Sequence, residues 1–490
     1  MGIMRNKLKI RSLKVNASLN VIYTLLNAIF PLITYPYVSR VLQASGMGKV
    51  NFFVSVVNYA TMLASLGINT YGIRLTANSR KSAVDLSKNV LSLLKINIIS
   101  TVLVLLIYTG IAFSFKQFYQ NIPLVIINGV WILSNPFGME WLYQGLEQYS
   151  YITTRNIAFK LISLILIFIF VKDIHDYIVY SAILASATVG PFIINFCYAH
   201  TFINFKMFFS TRLDLGKHLK PMLTLFGSAL AISVYTNLDT IMLGVIRDDR
   251  EVGIYTLAVR VETVLLMVVN AISSSLLPRL SFYIHEKRYS EFNKVLRYSS
   301  SIIFMLACSL TSFFIIVAKD TVLILGGRGF VDATFSMQLL MPILIISGFS
   351  NITGNQILIP MKKEKFFMIA VSCGACLDFL LNLWLMKPLG SIGASLATLI
   401  AELAQMSIQV FFSRNIIFNN IEWLSFFKIF LSVAAASIFT VFAKNLLSIN
   451  PFLNLLCNAL VFYSCFLLFL VVTREHNTVE VIKRLGNRSL

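Results

Sequence analysis

The stretch NASLNVIYTLLNAIFPLITYPYVSRVLQASGMGKVNFFVSVVNYATMLASLGINTYGIR (Asn16–Arg74) decides the fold of this 490-residue chain. It reads as an apolar helix ending at Val38–Ser45, a tight turn at GMGK (Gly46–Lys49), a second apolar helix to Gly67, and then Ile68–Arg74. Each apolar run holds about twenty residues, enough to cross roughly 30 Å of hydrocarbon. The first run carries Pro31, Pro36 and Arg40. Two prolines and a cation are costly against acyl chains, so this helix is expected to face a cavity. A weak copy of the hairpin recurs near Leu223–Leu277. There EVGIYTLAVRV (Glu251–Val261) sets beside KVNFFVSVVNY (Lys49–Tyr59) at an offset of about two hundred residues.

The whole composition fits that opening. Hydrophobic residues make up 57% of the chain and charged residues 13%, with a mean hydropathy of +0.78. A soluble domain is about 25% charged. Runs near twenty residues, rather than ten-residue alternations, give an all-α polytopic membrane fold. The net charge of +20 is no nucleic-acid signature, because the cations fall between apolar runs, as in loops facing anionic headgroups. All six cysteines lie in apolar runs. Cys373 and Cys376 form a CxxC with no second CxxC or HxxxH nearby, so neither a metal site nor a disulfide framework is expected. The basic N-terminus precedes a run that is too long for a signal peptide, so it reads as an uncleaved first span.

Fourteen spans are expected, centred near Ala28, Val57, Val102, Ile132, Leu164, Leu184, Ala231, Leu265, Ile303, Ile345, Phe379, Leu399, Val433 and Val461. Short turns join them at Gln43–Gly48, Lys172–Asp176, Arg247–Val252 and Lys387–Ser391. With the N-terminus inside, about thirty of the 41 basic residues fall on the inner side, in stretches such as Arg74–Lys95, Arg155–Lys160, Lys206–Lys220, Lys362–Lys365 and Arg414–Lys428. About ten fall outside. That alternation places both ends in the cytoplasm. The repeat spans an even number of helices, so its copies share one orientation, as in parallel-repeat transporters. The expected organisation is a basic tail at 1–14, a six-helix N-lobe at 15–205, a six-helix C-lobe at 218–415, two further helices at 422–473 and a cytoplasmic tail at 474–490. Ligand is expected between the lobes.

Charges inside the spans are the candidate functional residues. Asp239 and Arg260 flank the Arg247–Val252 turn almost symmetrically. They form a structural ion pair, or Arg260 meets an anionic ligand while Asp239 tunes it. Glu262, two residues from Arg260, is on another helix face. Asp378 and Glu402 flank the Lys387–Ser391 turn in the same way. Either they share a proton and form a coupling site, or they face different helices. Arg40 and Arg74 bracket the first hairpin, snorkelling to headgroups or lining a cavity. PFGMEWLYQGLEQY (Pro136–Tyr149) sets Glu140 and Glu147 among aromatics, as an interfacial belt or as a carbohydrate-stacking surface. GMGK and GGRGF (Gly326–Phe330) lack Walker spacing and read as turns. No Ser/His/Asp or paired-carboxylate constellation stands out, so no enzyme is expected.

The run Tyr35–Arg74, together with WLYQGLEQY (Trp141–Tyr149), NLDTIMLG (Asn237–Gly244) and NLWLMKPLGSIGASLATLIAE (Asn382–Glu402), resembles the Wzx-type flippases of O-antigen and capsule pathways. These belong to the multidrug/oligosaccharidyl-lipid/polysaccharide exporter superfamily. The resemblance covers nearly the whole chain. It implies two lobes around a central cavity, moving undecaprenyl-diphosphate-linked repeat units from the inner to the outer leaflet of the cytoplasmic membrane. It maps cavity cations to Arg40 and Arg260, and secondarily to Arg74 and Lys160. It implies no cofactor beyond H+ or Na+ coupling. The implied partners are the lipid-linked glycan, membrane lipids, and the polysaccharide polymerase and chain-length machinery. The rivals are a drug antiporter or lipid II flippase of the same superfamily, and a polytopic glycosyltransferase or polymerase. The last needs a sizeable extramembrane loop, which this sequence does not offer. The charge alternation predicts that a C-terminal fluorescent-protein fusion fluoresces while a C-terminal alkaline phosphatase fusion is inactive, and that phosphatase becomes active when fused at Lys172.

Overall fold

A computed structural model describes residues 13–210, 215–446 and 450–475, with the side chains of 13–29, 32, 228–237 and 445–446 outside that description. Every regular element among the described residues is a helix. The chain divides into two compact units, Met1–Val245 and Ile246–Leu490.

Unit 1 begins with α1 (Leu13–Ser65), which stays helical through Pro31 and Pro36 and breaks at Gln43 (φ 57°, ψ 179°). The turn is therefore one residue, inside the expected Gln43–Gly48 connection but ahead of GMGK. Helix resumes at once, with Gly46 packed against Leu42, the Ile174 carbonyl and Tyr177. Gly46 serves close approach here, not reversal of the chain. Then come α2 (Ile68–Ser79), α3 (Ala83–Ser114), α4 (Ile122–Ser134), the short α5 (Glu140–Gly145), α6 (Tyr149–Phe170), α7 (Tyr177–Ala199) and α8 (Leu215–Ile246). The expected turn at Lys172–Asp176 is present, held by a capping box between Asp173 and Asp176. Leu86, Val90, Leu91, Leu93, Trp141, Leu142, Tyr143 and Met222 form a buried apolar cluster.

Unit 2 holds α9 (Asp249–His285), α10 (Tyr289–Ile316), α11 (Ala333–Leu340), α12 (Ile343–Asn351) running into a seven-residue π-helix (Ile352–Leu358), α13 (Glu364–Leu389), α14 (Ser391–Asn420), α15 (Trp423–Leu446) and α16 (Pro451–Val472). Its turns at Arg247–Val252 and Lys387–Ser391 are clamped together. Arg247 donates to the Lys387 carbonyl at 3.0 Å, and Glu251 accepts from the Ser391 amide at 2.7 Å. Gly390 has φ +57°, and a Cβ there would meet the Glu251 carboxylate. Farther along, Tyr255 and Thr398 hydroxyls pair at 3.2 Å, so α9 and α14 run side by side in the same direction.

By length and composition, eleven helices among the described residues can cross a membrane, or twelve with the bent pair Ile33–Ser65 and Ile68–Ser79. The expected count of about fourteen is thus not confirmed among the described residues. The spans centred on Ala28 and Ala231 fall where side chains lie outside the described residues. The other twelve expected centres all fall within those helices.

Gly67 is the glycine of unit 1 set closest against neighbouring backbone among the described residues. It sits at φ +79°, and a Cβ would come within 2.5 Å of the Met222 carbonyl and 2.9 Å of the Phe226 amide. Gly67→Ala is expected to cost about 1–3 kcal/mol, from left-handed strain plus a backbone clash. The check is a lowered thermal midpoint of the detergent-purified protein, with Gly110→Ala, which meets nothing within 4 Å, as control.

Candidate functional site: a polar pocket in the first unit

The loop after α4 builds the site. Asn135–Phe137 form a single 3-10 turn, Met139 takes a left-handed conformation (φ 40°), and α5 then starts at Glu140. Two glycines let α5 lie directly on α2. Gly72 abuts the Trp141 indole, and Gly145 abuts Thr76 and the Ile73 carbonyl. Small residues at both crossings permit this close backbone approach. As a result Trp141, Leu142 and Tyr143 are buried in the core. Neither the interfacial belt nor the carbohydrate-stacking surface expected of Pro136–Tyr149 is formed by Tyr143, which packs on Tyr151, Tyr198 and Phe202.

A cavity of about 280 Å³ opens against this loop, lined by Ser65, Asn69, Asn97, Asn135, Glu140, Gln144, Trp141, Phe192, Gly138 and Met139. That is room for about nine waters. One wall is already bonded: Asn135 donates to Asn97 at 3.1 Å and to Ser65 at 3.3 Å. Glu140 also lines the cavity and accepts from Gln144 at 3.5 Å and from Arg155 at 3.4 Å.

Arg155 is the residue that the sequence reading missed. It was counted among the basic residues of an inner stretch, Arg155–Lys160, yet both lie inside α6, and the Arg155 side chain is 4% exposed. Its guanidinium donates to Asn156 and Asn195 and pairs with Glu140, and it lies 5.4 Å from the Tyr151 ring. Asn195, fully buried, also accepts from the Tyr151 hydroxyl at 3.1 Å and donates to the Gly138 carbonyl. A buried charge persists only with this kind of pairing. Position within a polar-looking stretch gave no signal of it. The cue was Glu140, fifteen residues upstream.

The other candidates are placed as follows. Arg40 is exposed on α1 and bonds back to the Pro36 carbonyl at 2.5 Å. Arg74 is exposed on α2, and Lys160, half-buried on α6, lies 5.5 Å from the Phe30 ring. Glu147 pairs with Arg80 at 2.7 Å. Asp239 is 4% exposed in unit 1, while Arg260 is exposed on α9 in unit 2. Asp378 and Glu402 are buried, at 2% and 6%. Asp378 accepts from Asn382 on its own helix at 3.2 Å. Glu402 has a neighbour that the hairpin symmetry did not name. Glu262 of α9, 9% exposed, stands level with it on the neighbouring parallel helix. The cause is register: each lies eleven residues beyond the Glu251–Ser391 clamp, about 16 Å along parallel helices. Among the described residues no group of three or more His, Cys, Asp or Glu could hold a metal ion.

Comparison with known proteins decides the family. The family described as "Polysaccharide biosynthesis protein" matches residues 13–284, more than half the chain. The chain belongs to this family. A second family, MatE, matches residues 224–384. Proteins named "Putative O-antigen transporter" from Escherichia coli (strain K12) and Shigella dysenteriae are each 24% identical. The first aligns over 82% of this chain and 98% of its own length, the second over 77% and 93%. Among solved structures, the lipid II flippase MurJ in an inward closed conformation matches with a TM-score of 0.69 at 16% identity, covering 93% of this chain and 98% of its own. An inward-facing multidrug-resistance MATE transporter of the MOP superfamily matches at 0.60 and 12%, covering 85% and 98%. The fold of this polysaccharide biosynthesis family member is therefore the exporter-superfamily fold, as the resemblance implied. The protein is a multi-pass membrane protein of a transporter or flippase family.

The buried guanidinium yields a stability test. Glu140→Gln leaves the Arg155 charge, 4% exposed, with neutral partners only and is expected to cost about 3–5 kcal/mol. Arg155→Met removes that charge, keeps most of its volume and leaves a carboxylate that is 28% exposed, so it is expected to cost less. Thermal unfolding of the purified protein separates the two.

Proposed function

We propose that this protein flips undecaprenyl-diphosphate-linked oligosaccharide repeat units from the inner to the outer leaflet of the cytoplasmic membrane, by alternating access, to supply surface polysaccharide synthesis. The observation that carries the reading is the near full-length similarity to the O-antigen transporters. The physical requirements of such a substrate fit the chain. A diphosphate needs cations, and Arg40 and Arg260 are exposed on membrane-length helices, one in each unit, with Arg74 and Lys160 as further candidates in unit 1. A glycan needs hydrogen-bonding surface within an apolar body, and the amide-lined pocket beside Glu140 supplies it. The prenyl tail needs only lipid.

Coupling to H+ or Na+ belongs to the same proposal. The buried carboxylates Glu262, Glu402 and Asp378 are its candidates, since two carboxylates in low dielectric hold a proton between them more readily than two charges. Both termini lie in the cytoplasm on the charge-alternation argument, and polymerase and chain-length proteins are the natural downstream partners. A small-molecule antiporter is the second reading, favoured by the MatE match over residues 224–384. It makes Asp239 and Asp378 essential and the arginines dispensable.

The test is a deletion strain complemented with variants. Arg40→Ala and Arg260→Ala are expected to lower surface polysaccharide at least tenfold at unchanged protein level, with lipid-linked oligosaccharide accumulating on the cytoplasmic leaflet. Full export by both variants removes the cationic model. Essential aspartates with dispensable arginines select the antiporter.

A further inference from the structure

A second cavity lies in unit 2, where α13 begins and α14 nears its end. It measures about 230 Å³ and is lined by Lys363, Phe411, Phe412, Ser413, Arg414 and Asn415. The two helices are held together there by Phe366 stacked on Phe412, with centroids 4.2 Å apart. Lys363 immediately precedes α13, between exposed Lys362 and the exposed Glu364 and Lys365. Arg414 lies 5.1 Å from the Phe411 ring. Neither Lys363 nor Arg414 enters an ion pair among the described residues.

The surroundings are as telling as the cations. Phe411 and Phe418 are 60% and 56% exposed on α14, and Trp423, 52% exposed, stacks on Phe418. An exposed tryptophan beside uncompensated cations marks the boundary between hydrocarbon and water. Arg297 of α10 adds a third cation at this end of α14 through the Asn419 carbonyl, at 3.2 Å. We propose that this groove binds the phosphate headgroup of an acidic phospholipid. The Arg414 fork and the Lys363 ammonium supply complementary contacts to phosphate oxygens. Phe411 and Phe412 offer apolar contact to the glycerol and first methylenes. A zwitterionic headgroup brings its own cation against Lys363, and free phosphate leaves the aromatic wall unused. The inference does not depend on what the protein transports.

The full-length protein in detergent is titrated with short-chain phosphatidylglycerol, short-chain phosphatidylcholine and inorganic phosphate, and thermal stabilisation is read. Lys363→Gln/Arg414→Gln is expected to weaken phosphatidylglycerol binding about thirtyfold, the effect of two basic residues at an anionic surface. Lys363→Arg/Arg414→Lys retains it. The midpoints without lipid show that both variants are folded, since each change is on an exposed side chain. Unchanged phosphatidylglycerol binding in the neutral variant overturns the proposal, as does equal binding of phosphatidylcholine. Inorganic phosphate protecting as well as phosphatidylglycerol assigns the groove to a free anion and overturns the lipid.

Discussion

Unit 1 depends on one buried amide. Asn195 accepts hydrogen bonds from Arg155 and Tyr151 and donates one to the Gly138 carbonyl, and its own backbone carbonyl accepts from the Tyr143 hydroxyl. Three segments distant in sequence meet there: the loop before α5, the start of α6 and the last turns of α7. In a body this apolar, an unpaired guanidinium would cost far more than any single apolar contact returns. The arrangement is therefore specified by polarity as much as by packing. The same amide fixes the Gly138 corner from which Glu140 looks into the pocket.

Unit 2 meets the same constraint by register. Glu251 holds the Ser391 amide and Arg247 the Lys387 carbonyl, so α9 and α14 start level and stay level. Positions farther along inherit that alignment, including the shared level of Glu262 and Glu402. Polar ladders continue inward: Gln356 bridges Ser273 and Ser299, and Thr353 reaches Gln409. These groups sit on or beside the π-helix, whose wider turn turns extra backbone and side-chain polar groups toward neighbours.

Helix class and the positions of twelve spans were legible because twenty-residue apolar runs have few other uses. All four short connections contain the observed turns, and three carry local turn chemistry at Asp173, Asp248 and Gly390. In the fourth, Gln43–Gly48, the break is at Gln43 and not in the GMGK that begins three residues on. Glycines in GMGK suggest reversal, whereas Gly46 answers to a neighbour more than a hundred residues away, which local sequence does not encode. The site was half legible. Glu140 was singled out, but its partner Arg155 looked like one more cation of an inner stretch. Glu262 was turned away from interest by its spacing to Arg260, although its relevant spacing is to Glu251. In both cases the deciding distance is tertiary.

Gln43 carries a final consequence. Its φ and ψ fall in a region open almost only to glycine, at a cost of about 1–3 kcal/mol. Leu42, Ala44, Met47 and Val50 around it are nearly inaccessible, and that packing holds the residue in place. The bend in α1 is thus a loaded spring, not a slack elbow. Any rearrangement that loosens the flanking packing releases stored strain and so proceeds more easily than the contacts alone would suggest.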